Sequence, residues 1–243
     1  MQTEQTLPDV ADAKSPIAIA IKKAIESKKP RKQTFPEYRS FIQHHYDGLA
    51  GKLTSWSGFF TGHSLLAGQV LKPEAFDLRG CKRILDAGCG NGRHCKYILR
   101  RADLDASIHA FDLSQRMLRR ARRKLKTNRI NYLAADLTRL PYADDYFDGI
   151  VCGWVLEHLP DPRPGLQELT RILKPGGKLL LMTTEDTLTG AMTSNLWHCR
   201  TYSRQELRDC CEECGLAWQR QLYFTKLHRL FKLGGIIVEL RRT

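Results

Sequence analysis

Glycines and carboxylates are the residues here whose types and spacing could do chemistry. Gly88, Gly90 and Gly92 stand in Asp86-Ala87-Gly88-Cys89-Gly90-Asn91-Gly92, at the end of the short apolar run Arg83–Ala87. Glycines where a strand turns into a helix let the backbone approach a ligand and reach φ angles that other residues avoid. That signal is weak by itself, because dinucleotide enzymes use the related G-x-G-x-x-G. Two details separate the readings. The spacing here is G-x-G-x-G, and Asp86 closes the run that precedes it. A carboxylate at that place repels a pyrophosphate and attracts a cation, by Coulomb sign.

Asp112 and Asp136 close the next two apolar runs. Each alone reads equally well as a helix N-cap or a loop acid. At the end of the second strand of a doubly wound fold, a carboxylate can accept both ribose hydroxyls of an adenosine. At the end of the third, it could accept from an adenine amino group. Three acids in order along the carboxyl edge of one sheet, with the glycine turn, suit an adenosine that carries a cationic group. S-adenosylmethionine, with its sulfonium and ammonium, is such a ligand.

The elements that must position these residues follow from periodicity. Arg83–Ala87, Ile108–Phe111, Ile130–Ala134, Asp148–Gly153 and Lys178–Met182 read as buried strands. Arg93–Arg101, Ser114–Lys126 and Pro164–Leu173 read as the helices between them, with Ser114 an N-cap and Pro175-Gly176-Gly177 a stop signal. Ser203–Cys214 reads as a further helix, and Leu216–Phe224 and Gly235–Leu240 as two closing strands. The pattern predicts an α/β fold, a doubly wound, mostly parallel seven-stranded sheet with helices on both faces. Residues 1–34 read as a basic, flexible arm; a short amphipathic helix through Ile17, Ile21, Ala24 and Ile25 is the alternative. Residues 35–75, with Tyr38, Phe41, Tyr46, Trp56, Phe59 and Phe60, read as an N-terminal helical cover on a core over 80–243.

The segment from Ile84 to Gly92 resembles motif I of the class I S-adenosylmethionine-dependent methyltransferases. Phe111-Asp112-Leu113-Ser114 with Met117-Leu118 resembles their second motif, and Asp136-Leu137 with Leu140-Pro141 the third. Phe147–Val151 with Leu156-Glu157-His158-Leu159 resembles the fourth, and Arg171–Gly177 the fifth. The likeness runs over roughly residues 80 to 220 and is greatest to the small-molecule group that includes the ubiquinone/menaquinone-biosynthesis methyltransferases. It implies a Rossmann-like methyltransferase fold, S-adenosyl-L-methionine as cofactor and S-adenosyl-L-homocysteine as product. It also implies roles: Gly88, Cys89, Gly90 and Gly92 beside the methionine part, with Asp86 steering the charged end. Asp112 would hold the ribose, Leu113 and Met117 would pack near the adenine, and Asp136 and Leu137 would recognise its edge. Cys152 to Trp154 would pass the methionine end. Asn91 departs from the small residue or threonine usual in the family.

Methyl transfer from a sulfonium needs a base only if the acceptor loses its proton early. His158 and His63 are the candidates, with Glu157 and His198 behind them; a structural role at a helix start explains His158 as well, and a surface or capping role His63. Tyr46, Trp56, Phe59 and Phe60 could line an apolar acceptor pocket, or simply pack on the sheet. Cys199, Cys210, Cys211 and Cys214 with His198 raise zinc, but Leu207, Cys210, Cys211 and Cys214 fall on one helical face and lack a second ligand pair, so no metal is expected.

The chain has 243 residues, 42% hydrophobic, and a formal charge of +13. Arg116, Arg119, Arg120, Arg122, Arg123, Lys124 and Lys126 crowd one helix. Such charge suits nucleic acid, an anionic membrane surface or acidic substrates, or serves solubility alone. Eight scattered cysteines, no secretory signal and no long apolar run predict a cytoplasmic protein with reduced thiols, with attachment to a membrane periphery left open. The expected acceptor is a small molecule or lipid-like. RNA or protein methylation, a non-catalytic S-adenosylmethionine-binding protein and a dinucleotide oxidoreductase are the alternatives.

Overall fold

Ile84 and Leu85 point to opposite faces of a strand, and both are fully buried. That is the mark of a sheet covered on two sides. The computed structural model describes residues 34–37, 39–40, 68–187, 190, 194, 199–230 and 235–243. Within them the chain runs β1 (Arg83–Ala87), α1 (Arg93–Arg101), β2 (Ser107–Asp112), α2 (Gln115–Leu125), β3 (Ile130–Ala134) and β4 (Phe147–Gly153). It continues through α3 (Arg163–Ile172), β5 (Leu173–Thr183), α4 (Arg204–Glu213), β6 (Leu216–Gln221), α5 (Lys226–Leu230) and β7 (Ile236–Arg242).

Among the described residues the seven strands form one sheet in the order β3-β2-β1-β4-β5-β7-β6. β1 to β5 pair in parallel, and β7 lies antiparallel between β5 and β6. The chain leaves β1 toward β2 and β3, then returns to the other side of β1 as β4. The crevice at the carboxyl ends of β1 and β4 is therefore the topological switch point, where such sheets bind ligands.

Period-two alternation divides the core. Ile84, Ile108, Val151 and Leu180 pack with Cys95 and Ile98 of α1 and Leu118 of α2 on one face. Leu85, Ile150, Leu179 and Leu181 pack with Leu166 and Leu169 of α3 and Leu207, Cys210 and Cys211 of α4 on the other. The cysteines of α4 thus serve as small apolar side chains. Among the described residues, no group of three or more His, Cys, Asp or Glu is arranged to hold a metal ion. No described helix is long and apolar enough to cross a membrane.

The Rossmann-like, mostly parallel sheet matches the expectation; several boundaries differ. Pro175-Gly176-Gly177 does not precede β5 but loops out within it: Phe147 pairs with Leu173, and pairing resumes at Gly149 with Lys178. Gly176 takes up that slack at φ +70. Leu173, expected as the last helical residue, opens β5. β6 ends at Gln221, and α5 intervenes before β7, a five-residue helix too short to show a period. The arm through residue 33, with its Ile17–Ile25 stretch, lies outside the described residues. So do Tyr38, Phe41, Tyr46, Trp56, Phe59, Phe60, His63 and His198. Residues 35–37 and 39–40 are helical, and half-buried Phe35 packs against the core.

Candidate active site at the glycine turn

The glycine turn leaves β1 with Gly88, Gly90 and Gly92 all left-handed, at φ +67, +53 and +80. At Gly88 a Cβ would stand 2.3 Å from Val155 Cγ2, so shape and backbone both demand glycine. At Gly90 a Cβ would meet only Met117 Cε, at 3.7 Å. That open side, with Met117 behind it, leaves room for a ligand to lie against the backbone. Cys89 turns inward: its amide donates to the Phe111 carbonyl at 2.8 Å and its thiol is buried.

Asp86 is fully buried beneath the turn. Gly92 is the N-cap of α1 and offers no side chain, so Asp86 takes the capping role from the strand. Its Oδ2 accepts from the Cys95 amide and the Cys95 thiol, both at 3.0 Å. The neighbouring Cys89 thiol, burial and the Asp86 charge push the Cys95 thiol well above its ordinary value. Oδ1 of Asp86 lies 3.5 Å from Nδ1 of buried His94 and makes no hydrogen bond among the described residues. A buried carboxylate below an open glycine turn gives that place the sign of charge that suits a cationic ligand.

Asp112 ends β2 as expected. Its Oδ2 accepts from the Gly90 amide and its Oδ1 from the Ser114 amide, each at 2.8 Å. It thereby ties the glycine turn to the start of α2. Asp136 lies two residues beyond β3, where it accepts from the Thr138 amide and hydroxyl, each at 2.8 Å, and from the Arg39 guanidinium. Burial opposes its ionisation, but Thr138 and Arg39 outweigh it and hold the carboxyl below its usual value. A cleft of about 510 Å³ opens between β2–α2 and β3, and brings Leu113, Arg116, Arg119, Ala135 and Asp136 together. Leu137 turns into the core against Gly165.

Beyond β4 the chain makes a short 3-10 turn, Leu156–His158. Cys152 is fully enclosed; burial, then the charges of Glu157 and Asp86, push its thiol well up. Trp154 sits left-handed at φ +57, its amide bonded to the Met182 carbonyl at 2.8 Å. A bulky residue there costs about 1–3 kcal/mol, strain of a kind that gathers at functional sites. Its ring stacks near His94, at 5.9 Å, and Phe224, at 6.3 Å. Glu157 is buried and accepts from the hydroxyls of Thr183 at 2.8 Å and Thr184 at 2.7 Å. Burial raises its carboxyl to about 7, against those hydrogen bonds. His158 is half-buried on the same turn.

Sequence reasoning missed the His94 contact with Asp86, the Arg39 pairing with Asp136 and the threonine cradle of Glu157. Only the first had a signal: His94 shares the inward face of α1 with Cys95 and Ile98.

Residues 85–181 match the family described as methyltransferase domain. This stretch is a methyltransferase domain. It holds the glycine turn and all three acids. The demethylmenaquinone methyltransferase of Clavibacter sepedonicus is 39% identical over 101 residues, 41% of this chain and 40% of that protein. The chloroplastic 2-methyl-6-phytyl-1,4-hydroquinone methyltransferase 1 of Oryza sativa subsp. japonica is 31% identical over 173 residues, 68% of this chain and 49% of that protein. The chain thus spans less than half the length of either relative. The S-adenosylmethionine-dependent methyltransferase of Mesorhizobium loti superposes with TM-score 0.58 at 21% identity, over 68% of this chain and 93% of that one. At that identity the likeness shows the methyltransferase domain's fold.

Proposed function

We propose that this chain is an S-adenosylmethionine-dependent methyltransferase whose acceptor is a small molecule, lipid-like in character. The observation that carries the reading is the left-handed glycine turn at the switch point, open at Gly90 and underlain by the buried carboxylate of Asp86. Gly88, Gly90 and Gly92 would bring the backbone against the methionine part, with Asp86 below its cationic end. Asp112 would accept the ribose hydroxyls, and Leu113, Met117 and Asp136 would border the adenine, with the cleft beside α2 as its berth. Bound there, S-adenosylmethionine supplies an electrophilic methyl group on a sulfonium. The chain's own contribution is to hold the acceptor in line and exclude water. Trp154, next to β4, would wall that space, and His158 is the candidate base for an acceptor that must lose a proton.

The names of the relatives, one a phytyl hydroquinone methyltransferase and one a demethylmenaquinone methyltransferase, support an acceptor with a redox-active ring and an apolar tail. Methylation of RNA or protein is the second reading, favoured by the arginines of α2. The two part on one experiment. The protein is incubated with methyl-labelled S-adenosylmethionine and either a quinone-containing lipid extract or total RNA and protein. Label in the organic phase supports the proposal. Label confined to RNA or protein contradicts it.

A further inference from the structure

We propose that α5 docks on an anionic lipid bilayer and sets the mouth of the site against it. Topology fixes where α5 lies. β5 runs parallel to β1 and β4, and Thr183 at its carboxyl end pairs with Ile236 at the start of β7. The start of β7, with Leu222 just past β6 donating to the Ile237 carbonyl, therefore sits at the carboxyl edge of the sheet, the edge of the glycine turn. Side chains join the two: His228 of α5 packs edge-on against Phe224 at 5.5 Å, and Phe224 stacks on Trp154.

On α5, Leu227 is 59% exposed and Leu230 is 73% exposed. Their i, i+3 spacing sets them on one side of the helix. The sequence interleaves them with Lys226, His228 and Arg229, contains no acid, and continues as Phe231-Lys232-Leu233. Exposed leucines among cations are the composition of a helix that lies in a membrane interface. Leu104, the other large exposed apolar residue among those described, sits instead between Asp103 and Asp105, which a bilayer of negative charge repels. α1 and α2 start at that same edge and bring Arg93 and Arg116 there, with Arg119 one turn further along α2. Charge complementarity selects an anionic surface, and the leucines select a bilayer over RNA, whose phosphates need no apolar contact.

The inference deepens the proposed function: a site seated on the membrane meets an apolar-tailed acceptor where it resides. It rests on that reading for the acceptor alone, because docking needs no cofactor. The test is co-sedimentation of the full chain, without cofactor, with vesicles of phosphatidylcholine alone or mixed with phosphatidylglycerol. Binding to the mixed vesicles is expected, weakened by salt and reduced at least tenfold in the double variant Leu227→Glu, Leu230→Glu. The Leu227→Ser, Leu230→Ser pair replaces that variant if it loses its thermal transition. The proposal is overturned if the wild type stays in the supernatant with mixed vesicles, or if the leucine variants bind as tightly as wild type. It is equally overturned if the chain binds an RNA homopolymer and no vesicles, or if the leucines instead support a concentration-dependent dimer. Titration with S-adenosylmethionine on the same samples reports separately on the function reading.

Discussion

Asp112 acts on both sides of the glycine turn, accepting the Gly90 amide and the Ser114 amide. Asp112→Ala is expected to remove S-adenosylmethionine binding, since charge-assisted hydrogen bonds contribute about 1.5–3 kcal/mol each. Unchanged affinity by calorimetry would move the ribose elsewhere. Gly88→Ala meets Val155 at 2.3 Å in a left-handed backbone, and a loss of about 1–3 kcal/mol in urea denaturation is expected. Wild-type stability there would mean the turn relaxes freely. Glu157 gives a pH dependence. Burial lifts its carboxyl from 4.5 to about 7, so the folded chain holds a proton that the unfolded chain has released between those values. Its stabilising contribution is complete below 4.5 and declines as pH rises to 7, by on the order of 3 kcal/mol. Denaturation at pH 5 and pH 8 should show a fall that Glu157→Gln lacks; parallel behaviour of the two proteins would assign the slope to other groups.

Each element carries a local signal where the sequence was readable. Arg83–Ala87 carries the apolar Ile84, Leu85 and Ala87 and runs straight into Gly88, so β1 and its turn were visible. Ser114 caps α2, its hydroxyl accepting from the Met117 amide at 3.2 Å, and the arginines fall outside Met117, Leu118 and Ala121. Ser114→Ala is expected to cost about 1 kcal/mol, read as a lowered denaturation midpoint at unchanged slope; an unchanged midpoint would mean that another group caps the helix. What escaped the sequence depends on contacts between distant elements. The Pro175-Gly176-Gly177 loop looks like an end because only pairing with Phe147 reveals that the strand began at Leu173. α5 is too short for a period, and Glu157 meets Thr183 and Thr184 only when β5 lies beside β4.

At the scale of the molecule, the site is built at one edge of a sheet whose two faces are sealed. The order of strands places the acids together without any of them being adjacent in sequence, which is why their succession along the chain was legible while their partners were not. His94 against Asp86 and Arg39 against Asp136 are such partners. All eight cysteines are buried free thiols. The melting temperature should therefore be the same with and without reductant, and a drop on reduction would reveal a disulfide. The central claim is that the glycine turn takes S-adenosylmethionine, and calorimetric titration with S-adenosylmethionine, S-adenosylhomocysteine and NADH tests it most directly. Saturable binding of both adenosyl ligands and none of NADH is expected. Binding of NADH alone, or of neither adenosyl ligand, would contradict it.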